Sequence, residues 1–410
     1  IVEAEYALPH LAHASMEPPC ALARVDATGC DVWAPTQNPQ AAQDEVAGAL
    51  GLPREQVRVH VTLLGGGFGR KSKPDFAVEA ALLAREAGAP VRVQWTREDD
   101  IRHDYYHTVS AMRFRAALGA DGLPVAWLQR SAFPPIGSTF SPEAKLGSDG
   151  ELGMGFTDLP IDVPHLRAEV GEAKGHVRIG WLRSVCNVFH AFGTLSFADE
   201  CAHAAGRDPL EYYRALIGAP RHWNPADEGV KYSNYGESLK VHPVDTGRLL
   251  AVLERAAEGA DWERKRKAGR GMGLAVLRSF CGYVAVVAEV KLGPGGELLV
   301  PSVDVAADVG LAVHPDRVRA QMEGAVVFGL TLARFGAITA KNGAIEQSNF
   351  HDYPLARFSE APRELRVHLI ESDAPPTGAG ETGLPPVAPA LANALFAATG
   401  KRVRNLPFPR

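Results

Sequence analysis

Two glycine-rich segments carry the residues of this sequence best suited to chemistry. The first, Gly65-Gly66-Gly67-Phe68-Gly69-Arg70-Lys71, lies between a β-branched run and a helix-forming run. Glycines remove Cβ atoms and admit positive φ, so backbone N–H groups can come close to an anionic or oxo-bearing ligand. The N-terminus of the helix that follows adds a partial positive charge. The loop itself fits neither GxxxxGK[ST] nor GxGxxG, which removes the P-loop and dinucleotide readings for it. A tight turn without a ligand is the other reading the residues leave open. The second segment runs from Pro375 to Pro386, and Glu381 is its only carboxylate, with no Lys or Arg nearby in sequence. In an apolar pocket such a carboxyl is pushed up toward the range useful to a general base. A surface glutamate, or an aid to the start of a helix at Pro386, is the alternative.

Three further polar residues sit in apolar or aromatic settings. Gln37 follows Trp33-Ala34-Pro35-Thr36, Arg183 follows Gly180-Trp181-Leu182, and Gln321 precedes Glu323-Gly324-Ala325. Taken singly, each reads as readily as a structural hydrogen-bonding group.

The elements that must position these residues are legible in outline. Ala21–Val25, Val32–Ala34 and Val57–Leu64 read as strands, and Gln40–Leu50 as a helix ended by Gly51. Pro74 opens a helix with Phe76, Ala77, Ala80 and Ala81 on its apolar face, stopping near Gly88. Val91–Trp95 is a strand, and Ala111–Leu118 with Val125–Arg130 forms a hairpin through Asp121-Gly122. Helices follow at Ala191–Gly206 and after the cap Asp208. Tyr283–Leu292 and Glu297–Asp304 are strands about a Gly-Pro-Gly-Gly turn. Asp316–Phe335 is a long helix, Asn342-Gly343 a hairpin turn, Leu365–Ile370 a strand, and Pro386–Thr399 a helix closed by Gly400. Strands come in pairs rather than alternating strictly with helices, which predicts an α+β fold. The expected organisation is residues 1–220, a polar connector at 221–270 and residues 271–410. The connector's charge run, Glu263–Lys267, reads as a solvated face.

Composition sets the outer limits. The chain has 410 residues, 46% of them apolar and 22% charged, enough for a sizeable core. A net charge of −5 gives no overall pull toward nucleic acid or anionic lipid. No apolar run reaches the roughly 18 residues of a membrane span. The five cysteines are scattered and form no CxxC pair, which argues against a zinc ribbon or an iron–sulfur cluster held by this chain alone. Ile1 in place of Met suggests a processed product or a piece of something longer.

Read together and in order, GGGFGRK, Trp33–Gln37, Gly180–Val185, Gln321–Gly324 and Gly378–Arg402 resemble the molybdenum-binding subunit of the xanthine dehydrogenase/aldehyde oxidase family. The branch of the isoquinoline 1-oxidoreductase beta subunits is the most similar, with His13–Pro18, Gln347–Tyr353 and Arg404–Phe408 fitting it too. The resemblance implies the molybdopterin-binding α+β fold of that family, with two mixed sheet-and-helix subdomains. It implies molybdopterin, usually as the cytosine dinucleotide in bacterial members, with molybdenum held by the pterin dithiolene and by no protein side chain. Gln37 would hydrogen-bond an oxo ligand, and Gly66, Gly67, Phe68, Gly69 and Arg70 would lie beside the metal. Arg183, Ser184 and Val185 would line the cofactor and substrate side, and Gln321 and Gly380 would contact the cofactor. Glu381 would be the catalytic base. The implied reaction oxidises an aldehyde or N-heteroaromatic C–H with water-derived oxygen. Glu381 would deprotonate a molybdenum-bound hydroxyl, a hydride would pass to the sulfido ligand, and electrons would leave through a separate [2Fe-2S] subunit.

Ser72 stands where purine-oxidising relatives carry a glutamate, which argues against xanthine as substrate. Ser72, Phe189, Phe280, Phe350 and Tyr353 are the candidates for a substrate pocket. No ExGQG-like stretch is present, so the chain looks like the C-terminal half of its relatives, with another chain expected to complete the cradle. A non-catalytic, degenerate binding or assembly module of the same fold is the alternative. Branch members often carry a twin-arginine signal upstream, so the periplasm is expected before the cytoplasm.

Overall fold

The computed structural model describes residues 1–264 and 267–409. Lys265 and Arg266, the middle of the expected solvated charge run, lie outside the described residues.

Three four-stranded sheets organise the chain. In the first, Val2–Leu8 pairs antiparallel with Ser110–Leu118, which pairs with Pro124–Ala132, and His165–Gly171 adds in parallel. In the second, Gly29–Ala34 lies between Val57–Val61, parallel, and Cys20–Asp26, antiparallel, and Val91–Gln94 closes the far edge. The third joins Arg270–Ser279, Gly282–Leu292, Leu298–Asp308 and Glu364–Leu369, the last in parallel.

The second sheet has a core of its own. Ala23 and Val32 from its strands meet Val46 of the helix Pro39–Leu50 and Phe76, Ala77, Ala80 and Ala84 of the helix Asp75–Ala87. Both helices end at a left-handed glycine, Gly51 and Gly88. This small unit carries the GGGFG segment between Val61 and Asp75.

A second, larger core is continuous from the first sheet to the third. Its centre is the helix Asn187–Ala204, buried over nearly its whole length. Phe192 meets Tyr6 edge-on, and Phe197 stacks on Phe114 in the first sheet. The helix Val387–Thr399 packs between it and the strands Arg270–Ser279 and Gly282–Leu292, and Thr246–Gly259 covers the third sheet as well. Hydrophobic residues from both sides of the polar stretch at 221–245 therefore share one interior. The chain's two ends are sewn to it. Ala7 N–H donates to Arg404 O at 3.0 Å and Leu406 N–H to Ala7 O at 3.0 Å, while Glu200 accepts Tyr6 OH at 2.6 Å and both arms of Arg404.

The strand expected to run to Leu64 stops at Val61, because its partner Gly29–Ala34 ends at Ala34; Leu63 is left almost fully exposed. The strands Val2–Leu8, His165–Gly171 and Arg270–Ser279 had no counterpart in the sequence reading. Among the described residues no helix is long and apolar enough to cross a membrane.

Candidate cofactor and catalytic site

Three segments that are far apart in sequence converge on Arg183. Its backbone N–H donates to Phe68 O of the GGGFG loop at 2.8 Å. Its Nε donates to Gly380 O at 2.6 Å, beside the glutamate of the second glycine segment. Its Nη2 donates to Gln321 O and Oε1 at 3.0 and 3.2 Å, on the helix Pro315–Arg334. Burial pushes the guanidinium down to about 10, with the charge of Glu381 pulling the other way. A buried arginine with three carbonyl acceptors and a carboxylate neighbour is well matched, since five donors in a rigid fork need acceptors.

Glu381 is positioned from the same strap. Ser184 N–H donates to its Oε1 at 2.9 Å and Ser184 Oγ to its backbone carbonyl at 2.6 Å. Burial raises its carboxyl above the ordinary value, opposed by the Ser184 N–H and the Arg183 charge. Ser184 and Val185 hold φ of 75° and 49°, a conformation that costs a β-branched residue on the order of 1–3 kcal/mol. That turn is what aims the Ser184 N–H at the carboxylate. It is held by Val185 N–H to Leu182 O and by His107 Nε2 to Val185 O at 3.1 Å.

The GGGFG loop is pinned at both ends. Buried Lys71 pairs with Glu17, whose Oε2 also accepts Gly65 N–H at 3.0 Å. Buried Arg70 makes two 2.9 Å bonds to Asp75, its Nε lies 3.1 Å from Asp104, and Trp95 and Tyr105 sandwich it. The Arg70 side chain is thus turned into the protein. Gly69 has a φ of 109° and lies so close to Trp181 that a Cβ would fall 1.4 Å from that carbonyl oxygen. Gln37 accepts Gly69 N–H on Oε1 at 3.0 Å, which leaves its exposed Nε2 free to donate outward. Phe68, at φ 54°, lays its ring on Phe328 at 5.2 Å. Phe328 is a member of the site that sequence reading missed; its only signal is a place two turns beyond Gln321 on one helix.

The candidate residues therefore divide. Phe68, Gln321 and Gly380 meet at Arg183, Ser184 beside Val185 holds Glu381, and Gln37 holds Gly69 in the loop with Gly66 and Gly67. Ser72 closes the base of the loop, its Oγ donating to Gly69 O at 2.5 Å. Phe280, in a turn with Cys281, packs its ring at a tilt on Tyr235 and approaches Gly378 of the glutamate loop. Phe350 packs on Arg97, Phe189 is enclosed among Phe133, His107 and His190, and Tyr353 hydrogen-bonds both backbone groups of Ala12. Phe189 and Tyr353 are fully buried, at 0% and 1% exposed.

The sequence matches the molybdopterin cofactor-binding domain over residues 1–215 and again over 255–362. The beta subunit of isoquinoline 1-oxidoreductase from Brevundimonas diminuta is 32% identical, covering 96% of this chain and 48% of the relative. A nicotinate dehydrogenase subunit from Pseudomonas putida is 30% identical, covering 98% of this chain and 34% of the relative. The chain spans about half or less of the length of these curated relatives. The crystal structure of quinoline 2-oxidoreductase from Pseudomonas putida 86 superposes with a TM-score of 0.81 over 99% of this chain and 75% of that one, at 15% identity, a likeness of fold.

Proposed function

The chain belongs to the family of molybdopterin cofactor-binding domains, and from that premise we propose that it forms the catalytic part of a molybdenum hydroxylase acting on an aldehyde or N-heteroaromatic C–H. The observation that carries this reading is the convergence on Arg183, which ties Phe68, Gln321 and Gly380 into one site with Glu381. Two local features fit a bound molybdopterin. The outward Nε2 of Gln37 is a donor suited to an oxo group, and a Cβ at Gly380 would meet nothing within 4 Å, so the glutamate loop faces open space. We take the cytosine dinucleotide form as the expected one.

When bound, the molybdenum–pterin group supplies an activated, water-derived oxygen nucleophile and accepts two electrons from the substrate. Gln37 and the loop from Gly66 to Gly69 would hold it on one side, and Gln321 on the other. Glu381 would take the proton released as that oxygen attacks. Its burial favours the neutral form, so the base is moderately strong, while the Ser184 N–H fixes which oxygen is tied down and leaves Oε2 free to accept. Residues 1–220 and 271–410 act as the two cofactor-binding subdomains, joined by 221–270. We assign electron exit to a separate iron–sulfur subunit, since the scattered cysteines form no cluster motif. A partner chain completing the cradle belongs to the same reading.

Metal analysis of the native protein beside a Glu381→Gln variant tests this. Both are expected to hold molybdenum, and the variant to lose roughly 10²–10⁴-fold in kcat/KM. The wild-type kcat/KM should fall as pH drops through the raised Glu381 value, because protonation removes the base. A Glu381→Gln protein with full turnover, or a native protein without molybdenum, defeats the proposal.

A further inference from the structure

Beneath the GGGFG loop lies a buried imidazole that the site does not account for. His13 is 3% exposed, and both of its ring nitrogens face acceptors. Nδ1 lies 3.0 and 2.9 Å from the two oxygens of Asp104, and Nε2 lies 2.9 Å from Trp181 O. A neutral imidazole carries one N–H, so one of these contacts would set a lone pair against an oxygen at hydrogen-bond distance. Asp104 is placed to be the anion rather than the source of the missing proton. It already accepts the backbone N–H groups of His13 and Tyr105, both at 2.7 Å, and Arg70 Nε lies 3.1 Å away. The other groups around the ring are Asp100, paired with Arg97, and His107, which burial pushes down to about 4 and so keeps neutral.

We propose that His13 is a positioning residue: an imidazolium whose two N–H groups tie Asp104 to the Trp181 carbonyl and so hold the strap that presents Arg183 and Ser184 to Glu381. The Trp181 carbonyl is the right lever. It sits against Gly69 on the loop side and precedes Arg183 by two residues. Through Asp104 and Arg70 the same histidine is braced on the helix Asp75–Ala87, so loop and strap share one anchor. The inference rests on the reading of Glu381 as the base, but its test does not use turnover.

Two measurements on the chain decide it. In protein labelled with ¹⁵N-histidine, the His13 ring signals, assigned by their loss in His13→Asn, should show both nitrogens protonated at neutral pH. One unprotonated nitrogen overturns the proposal. Amide hydrogen exchange then reads the positioning. A glutamine can place a donor near the Nε2 position and an asparagine cannot. Exchange at Arg183 and Ser184 is expected to speed up about tenfold or more in His13→Asn and to stay near the wild type in His13→Gln. Equal exchange in all three proteins, or equal acceleration in both variants, overturns the positioning role. If neither variant folds, the His13 ring signals are assigned in the wild type by their through-space contacts to Trp181 and Gly69, and they still decide the protonation on which the proposal depends. Failure of Glu381→Gln to lose activity would leave these readouts untouched, so the two ideas fail separately.

Discussion

Arg183 is the residue on which the site's geometry depends most. Its fork makes three directed bonds that a lysine, with one compact charge on a flexible stem, cannot reproduce together. Arg183→Lys should cost on the order of 2–3 kcal/mol through unpaired buried carbonyls, read as a lower melting temperature and reduced cofactor retention. An unchanged melting temperature and full retention would mean that the convergence holds without its fork. At this scale the sequence was informative about type and poor about partners. Gln37, Arg183 and Glu381 stand out as polar residues in apolar company, but nothing in spacing says that Arg183 reaches Gln321. Arg70 illustrates the opposite limit. It follows the loop glycines directly, yet its guanidinium belongs to Asp75, Trp95 and Tyr105, because a charge placed behind a packed loop must find buried partners.

At the level of elements, the GGGFG loop and the glutamate loop use glycine for different ends. At Gly69 the backbone is left-handed and the space is filled by the Trp181 carbonyl; at Gly380 the space is open. Gly69→Ala should therefore lose on the order of 3 kcal/mol or more of stability, since a backbone atom has to move. Gly380→Ala should melt like the wild type and lose cofactor occupancy instead. Comparing thermal melts with bound molybdenum separates the two, and a Gly69→Ala protein as stable as the wild type would refute the close approach. Elements with capped or alternating patterns were legible: Asp208 does cap its helix, and Gly51, Gly88 and Gly400 do end theirs. Arg270–Ser279 was not, because most of it is buried on both faces and shows no alternation. His165–Gly171 failed for the opposite reason, since an outer edge strand with no fully buried position carries almost no pattern.

For the whole molecule, the large core that joins the first and third sheets also encloses ionisable groups. Asp158 is 4% exposed and burial pushes it up to about 7, against the Gly155 N–H and the charge of Arg278. A raised acid binds its proton more tightly folded than unfolded, so stability is lost as pH climbs from the ordinary carboxylate value through the folded one, by roughly 4 kcal/mol. Asp158→Asn keeps an acceptor for Gly155 and cannot ionise. It should gain stability over the wild type at mildly alkaline pH and much less in acid, as read from melting curves at the two values. A pH-independent difference would mean that Asp158 is ionised in the folded state. The pairing of Ala7 with Arg404 and Leu406, together with the late position of Glu381, bears on how the protein comes to exist. On a ribosome moving at about 5–20 residues per second, the glutamate emerges on the order of half a minute after Gln37 and the GGGFG loop. The first strand waits as long for the tail that locks its edge. Until then the GGGFG loop is present without Glu381, so the segments that meet at Arg183 are brought together only after residue 381 has been made.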